Sequence, residues 1–204
     1  LIYNDGYIGR VDLAAEAIRL GRVLAELMPD EPDVHGLLAL MLIHHARRPA
    51  RIAGGDLVLL GDQDRSLWDT AEIAAGRETL ERAIALRGRG AYVLQAAIAS
   101  LQTDVPIDWA EIARLYEQLV EVTGSPVIEL NHAVAVAEAG RTEQALRMVE
   151  LLDLDDYQYL HSTRAELLRR LGRNDDARTA YERALMLATA ATERRFLARR
   201  IAEL

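Results

Sequence analysis

The sequence predicts an all-α fold built from stacked helix pairs, and two observations predict it. The first is a small–aromatic–small register near the carboxyl end, where Ala177, Tyr181 and Ala184 are spaced by four and then three residues. The second is the recurrence of this register upstream at a nearly constant interval. Small side chains let two helices approach closely, and a larger one fills the space between pairs. The recurrence therefore predicts a helical repeat.

The register occupies five columns of three residues each. They are Ala17, Gly21 and Leu24; Gly76, Leu80 and Ala83; Ile112, Tyr116 and Leu119; Ala145, Val149 and Leu152; and Ala177, Tyr181 and Ala184. From the last column backward the steps are 32, 33, 36 and 59 residues. Three steps match the period of about 34 residues that is typical of tetratricopeptide repeats (TPR). We therefore predict a TPR-like superhelical stack of antiparallel helix pairs.

The first helix of each pair fits between these columns. The predicted helices span Asp33–Arg47, Ala91–Leu101, Val127–Ala139 and Tyr157–Leu171. A single pair exposes an apolar face, and stacking of about three repeats is needed to bury it. The chain offers four to five repeats, so residues 1–204 are predicted to form a single TPR-like helical domain.

The one long step locates an irregular insertion at residues 48–69. Pro49 ends the preceding helix, because proline cannot continue an α-helix. Gly54-Gly55 lies between two stretches that can extend, Arg51–Ala53 and Asp56–Leu60, which predicts a hairpin. Gly61 and Asp62 indicate a second turn. Ser66 or Asp69 then caps a helix that begins near Thr70.

Six residues of this insertion are candidate functional residues. They are Asp62, Gln63, Asp64, Arg65, Trp68 and Asp69. We expect Trp68 to hold the insertion on the helices. The three carboxylates have three interpretations: an ion pair with Arg65 combined with helix capping, a surface that binds a partner, or a metal or catalytic site. The last is the weakest, because the spacing lacks the ligand density and the glycine of a calcium loop.

Composition excludes several classes of protein. The chain has 204 residues, 50% of them hydrophobic, a net charge of −8 and a pI near 5.2. Without a basic stripe, direct nucleic-acid binding by these residues is not expected. The absence of cysteine excludes disulfides and cysteine zinc sites. No apolar span and no leader are visible, and we expect a cytoplasmic protein. We also expect neither a metal nor a cofactor. Because Leu1 is not an initiator methionine, we expect a piece of a longer protein.

Other polar residues give weaker signals. His44 and His45 point about 100° apart on a helix and so do not chelate one metal together. None of the serines lies in a glycine elbow, so no hydrolase triad is predicted and no enzyme is expected. Three polar residues fall on first helices, which line the concave face of such stacks, where a peptide binds. These candidates are Gln95, Asn131 and Arg164.

Several segments together resemble one bacterial family. The segments run over 37–47, 62–69, 92–99, 108–116 and 126–135, and include the signature Asp62-Gln63-Asp64-Arg65-Ser66-Leu67-Trp68-Asp69. They resemble the TPR-like C-terminal extension of extracytoplasmic-function (ECF) RNA polymerase sigma factors. The opening Leu1-Ile2-Tyr3-Asn4-Asp5-Gly6-Tyr7 is similar to the segment after the DNA-reading region of that family.

The resemblance implies a regulatory protein-interaction extension that acts in transcription initiation. Its partners would be its own sigma core domains, RNA polymerase or a signalling protein. Sigma regions 2 and 4 have no counterpart here, so promoter DNA would be contacted only through those missing regions, and no membrane is involved. The passage from Gly6-Tyr7 to Asp12-Leu13 is shorter than the family leads us to expect. The alternative function is a generic TPR scaffold that binds a peptide in its groove.

Overall fold

The structure, a computed structural model, describes residues 11–204 and contains ten α-helices in that range. They are α1 (Val11–Leu27), α2 (Pro32–Ala46), α3 (Thr70–Ala85), α4 (Ala91–Leu101), α5 (Trp109–Thr123), α6 (Pro126–Glu138), α7 (Thr142–Glu150), α8 (Gln158–Arg170), α9 (Asn174–Leu187) and α10 (Ala191–Ala202). The segment Leu1–Tyr7 and residues 8–10 of the passage that follows it lie outside the described residues. The all-α prediction is confirmed.

The helix ends follow from local sequence. Proline occupies the first turn of α2 and α6, where its missing amide hydrogen costs nothing. The carboxylates of Asp69 and Asp108 accept hydrogen bonds from the amides of Glu72 and Glu111, each at 2.9 Å, and so cap α3 and α5.

Glycine ends three of the helices. Gly124, Gly140 and Gly172 have positive φ angles and follow α5, α6 and α8, a conformation that glycine adopts without strain. These signals explain why the four predicted first helices match α2, α4, α6 and α8 to within about one residue at each end.

Two short strands interrupt the helices between α2 and α3. β1 (Ile52–Ala53) and β2 (Asp56–Leu57) form a two-stranded sheet. Gly54 and Gly55 join them with φ angles of +59° and +84°, so both turn residues need the left-handed region. The amide of Val58 donates to the carbonyl of Arg51 at 2.9 Å. The predicted hairpin is therefore confirmed.

Two compact units divide the chain. The first contains the described residues up to Ala53 together with Val58–Ile107, and the second contains Gly54–Leu57 together with Asp108–Leu204. In the first unit α2 packs against α1, α3 and α4. The apolar residues of α2 are therefore covered on several sides. Gly76 of α3 is so close to α2 that an added Cβ would lie 2.7 Å from Cγ1 of Ile43. The small residue predicted there is thus required by close helix packing.

The second unit is a succession of neighbouring helices from α5 to α10. Its interior includes the column residues Ile112, Leu119, Val149 and Tyr181. The Tyr181 hydroxyl donates to Glu166 at 2.9 Å, and Arg169 donates to the same carboxylate at 2.7 Å. Burial opposes ionisation of this group, yet the hydrogen bonds from Arg169, Arg170 and Tyr181 lower the pKa of Glu166 to about 2.

The first column was predicted wrongly. Gly21 is buried, but Ala17 and Leu24 are exposed, and Ile18 is the core residue instead. The reason is that α1 packs mainly against α2, so only the strip through Ile18, Gly21 and Ala25 is covered. The superhelical path and the single-domain organisation of the predicted stack stay predictions.

None of the helices in residues 11–204 combines the length and the apolar character needed to cross a lipid bilayer.

Candidate functional site

Trp68 fixes the last part of the insertion, residues 58–69, to the first unit. This side chain is 7% exposed and packs with Ala46, Ala50 and Ile73. The next amide, that of Asp69, donates to the carbonyl of Ala46 at 3.0 Å, which ties the start of α3 to the end of α2. The predicted role of Trp68 in holding the insertion is confirmed.

Two arginines lie over the Trp68 ring. The guanidinium carbon of Arg47 is 5.1 Å from the ring centroid, and that of Arg65 is 4.6 Å from it. Both distances are within the range in which an aromatic ring attracts a cation. Arg47 had not been identified from the sequence, because nothing in its local pattern shows that its side chain turns inward.

Arg65 does not form the predicted ion pair with Asp62, Asp64 or Asp69. Its Nη1 donates instead to the carbonyls of Thr103 and Asp104, both at 3.1 Å. These carbonyls follow the last residue of α4, where the helix dipole favours a cation. The insertion is thereby joined to the end of α4.

The three carboxylates of the insertion have separate roles. Asp64 accepts hydrogen bonds from the hydroxyl of Ser66 at 2.7 Å and from its amide at 2.9 Å, and these bonds lower the pKa of Asp64. Asp69 caps α3. Asp62 is exposed in a single 3-10 turn, Leu60–Asp62. The predicted capping by Asp69 is therefore confirmed.

Gln63 turns back onto its own segment. Its Nε2 donates to the carbonyl of Val58 at 3.4 Å. This long contact links Gln63 to the residue that directly follows β2.

Residues 11–204 contain no group of three or more His, Asp or Glu side chains arranged to hold a metal ion.

The outer side of the insertion is exposed. Asp62, Asp64, Ser66 and Leu67 all reach solvent, and Leu67 is 50% exposed. We call Asp62, Asp64 and Leu67 the insertion edge. Trp68 and Arg65 hold the segment against the helices. The insertion edge is therefore preorganised and does not have to become ordered on binding.

The two adjacent histidines of α2 have different partners. His45 lies 2.8 Å from Glu72, and Nδ1 of His44 lies 2.7 Å from Nη2 of Arg51. Burial, with the charges of Arg51 and Arg47, lowers the pKa of His44 to about 3, so His44 is neutral and accepts from Arg51. The expectation that the two rings do not share a metal agrees with these contacts.

The candidates for the concave face behave differently from one another. Gln95 donates to the carbonyl of Ala91 within its own helix, at 3.2 Å. Asn131 is half-buried and has no side-chain hydrogen bond to the described residues. The Nε of Arg164 is buried without an acceptor in that part of the chain. Asn131 and Arg164 belong to the second unit and Gln95 to the first.

Two similarities to known sequences were found. A family of unknown function, DUF6596, matches residues 1–84, which include α1, α2 and the whole insertion. Uncharacterized protein R00370 of Rhizobium meliloti (strain 1021) is 44% identical over 211 residues, covering 97% of this chain. The chain spans about half of that relative, 50% of its length.

Proposed function

We propose that the chain is the regulatory, protein-interaction extension of an ECF sigma factor and acts in transcription initiation. The observation that supports this most is the insertion edge. The residues that resemble the family signature are those that Trp68 and Arg65 hold in place, with Asp62, Asp64 and Leu67 left exposed. The edge would contact the sigma core, RNA polymerase or a signalling protein in the cytoplasm, and the extension itself would perform no catalysis.

The chemistry of the insertion edge suits a protein partner. Carboxylates beside an exposed leucine complement a surface that carries arginine or lysine around an apolar depression. With a net charge of −8, the chain repels the phosphates of DNA. In this proposal promoter DNA is therefore contacted only by the sigma regions.

A second surface supports contact with the sigma core. Helix α1 exposes Leu13, Leu20, Leu24 and Leu27 at intervals that place them along one side. Exposed apolar residues concentrated on one helix are typical of an interaction surface. By resemblance, the segment before α1 follows the DNA-reading region, so this face is near the domain that it would contact.

The alternative is a generic TPR scaffold that binds a peptide. Asn131 and the Nε of Arg164 favour it, because both are polar groups on first helices without a partner in the described residues. An extended peptide offers backbone carbonyls and amides that satisfy such groups.

A binding measurement separates the two functions. The purified chain would be titrated with RNA polymerase and, separately, with sigma regions 2 and 4, as wild type, as Asp62→Arg/Leu67→Arg and as Asn131→Ala/Arg164→Ala. We expect the insertion-edge variant to lose at least about tenfold in affinity and the groove variant to bind normally. Leu151→Arg is the matched control, since Leu151 is 85% exposed and lies in the second unit. Loss only in the groove variant would favour the scaffold.

A further inference from the structure

Arg47 and Arg65 lie beside the same indole ring without a counterion in the described residues. From the two distances to the Trp68 ring centroid, 5.1 and 4.6 Å, their guanidinium carbons are less than about 10 Å apart. Within residues 11–204 no carboxylate forms an ion pair with either arginine. We call Arg47, Arg65 and Trp68 the arginine cluster.

The carboxylates of the surrounding elements are engaged elsewhere. Asp64 and Asp69 accept hydrogen bonds from backbone amides. Glu72 pairs with His45, and Asp104 pairs with Arg77. The positive charge of the arginine cluster is therefore not neutralised by the neighbouring acidic side chains that pack around it.

Donors exceed acceptors in this part of the first unit. The buried Nε atoms of Arg47 and Arg77 and the Nε1 of Trp68 have no acceptor among the described residues. Arg47 is 4% exposed, and its single hydrogen bond to a described residue is a long one of 3.3 Å from Nη1 to Gln102. Buried N–H groups without acceptors are costly, and a buried cation without an anion is more so.

The potential at this place is positive. Burial and the charges of Arg51 and Arg65 lower the pKa of Arg47 to about 10, which still leaves it ionised at neutral pH. Burial and the neighbouring arginine charges also lower the pKa of His44, so its imidazole is neutral at this pH. An anion that entered would relieve the repulsion among the arginines and accept from the buried donors.

We propose that the arginine cluster binds a terminal phosphate group of a small molecule. A phosphate offers more acceptor oxygens and more charge than a carboxylate, which suits several guanidinium groups that approach from different residues. The burial of Arg47 excludes a phosphodiester flanked by two sugars, so nucleic acid does not fit. Arg65 is half-buried, so in this proposal the anion would enter from the side of Arg65. This site is separate from the insertion edge and does not depend on the proposed function.

The test uses the fluorescence of Trp68. The chain has two tryptophans, so Trp109→Phe leaves Trp68 as the single reporter. This variant would be titrated with inorganic phosphate, pyrophosphate and acetate at constant ionic strength, with calorimetry as the second readout. Arg47→Met and Arg65→Met remove one guanidinium each. Arg82→Met is the matched control of equal charge, because Arg82 is exposed on α3.

We expect phosphate and pyrophosphate to give saturable changes in fluorescence and heat. The midpoint should rise at least about tenfold in Arg47→Met and in Arg65→Met and stay unchanged in Arg82→Met. If circular dichroism shows that Arg47→Met does not fold, Arg47→Lys and Arg65→Met decide. No saturable signal, equal midpoints for acetate and phosphate, or normal binding by the arginine variants would overturn the proposal.

Discussion

The guanidinium carbon of Arg65 lies 4.6 Å from the centre of the Trp68 ring, while Nη1 of the same arginine donates to two carbonyls beyond α4. One side chain thus joins the insertion to a segment 38 and 39 residues further along the chain. The part of the insertion that carries Arg65 and Trp68 is therefore a fixed part of the first unit.

Trp68→Ala should destabilise the chain by about 3 kcal/mol, because it removes a large buried side chain and leaves a cavity beside Ala46 and Ile73. Urea denaturation measures this loss. Trypsin should also cleave faster after Arg51 and Arg65, since the insertion is released. Tyr92→Ala, at an exposed aromatic of α4, is the control and should cost less than about 1 kcal/mol. Unchanged cleavage in Trp68→Ala would show that something else fixes the insertion.

Arg65→Met should cost about 1–3 kcal/mol, because two hydrogen bonds from a charged donor and the contact with the Trp68 ring are lost. Arg82→Met, which removes an exposed arginine of the same unit, should stay within about 0.5 kcal/mol of wild type. Chemical denaturation of both variants under the same conditions makes the comparison. Equal stabilities would mean that Arg65 contributes nothing to holding the insertion.

His44 should make the stability depend on pH. Its pKa is lowered to about 3 in the folded chain from 6.5 when unfolded, so the unfolded state binds the proton first as the pH falls. The stability is highest above 6.5 and declines as the pH falls from there toward 3. At about pH 5.5 the loss from this group is about 1.4 kcal/mol relative to neutral pH.

His44→Asn isolates that contribution, because the amide oxygen of asparagine can accept from Arg51 in place of Nδ1 but does not titrate. The difference in unfolding free energy between wild type and variant should shift by about 1.4 kcal/mol between neutral pH and pH 5.5. Parallel pH profiles for the two chains would contradict the burial of a neutral His44.

Glu166 should stabilise the second unit. Its pKa is lowered to about 2 by hydrogen bonds from Arg169, Arg170 and Tyr181 that overcome its burial. Glu166→Gln should cost about 2 kcal/mol at neutral pH, and Tyr181→Phe about 1 kcal/mol. Glu182→Gln, at an exposed position of α9, should change little.

The pH dependence of this contribution has a definite sign. A carboxylate with a lowered pKa stabilises the fold fully above its unfolded value of 4.5, and the effect is lost as the pH falls toward 2. The gap between wild type and Glu166→Gln should therefore narrow below about pH 4. A gap that is independent of pH would point to packing rather than charge.

Most of the helices were predictable from local signals. The recurring columns, the prolines and caps at helix starts and the glycines at helix ends act within a few residues, so α2, α4, α6 and α8 could be placed from the sequence. Gly54-Gly55 likewise specifies its turn by itself. The column residue at position 76 must be small, because the side chain of Ile43 leaves no room for a Cβ at Gly76.

The features that were not predicted depend on contacts distant in sequence. Arg65 has three aspartates close by in sequence, yet its partners are carbonyls that α4 brings into reach. Arg47 is buried because Trp68 folds back onto α2, which no periodicity reveals. Ala17 was wrongly predicted to be a packing position. The register does not show that α1 packs mainly against α2, which leaves Ala17 exposed.

Transcription from the cognate promoter is the sharpest measurement for the proposal that the chain regulates a sigma factor through its insertion edge. The reactions would compare the full-length protein that contains this chain, a form of it without residues 1–204, Asp62→Arg/Leu67→Arg and the control Leu151→Arg. We expect deletion and the insertion-edge variant to change the transcript level in the same direction by at least several-fold, and Leu151→Arg to leave it unchanged. Equal transcription from all four proteins would contradict it.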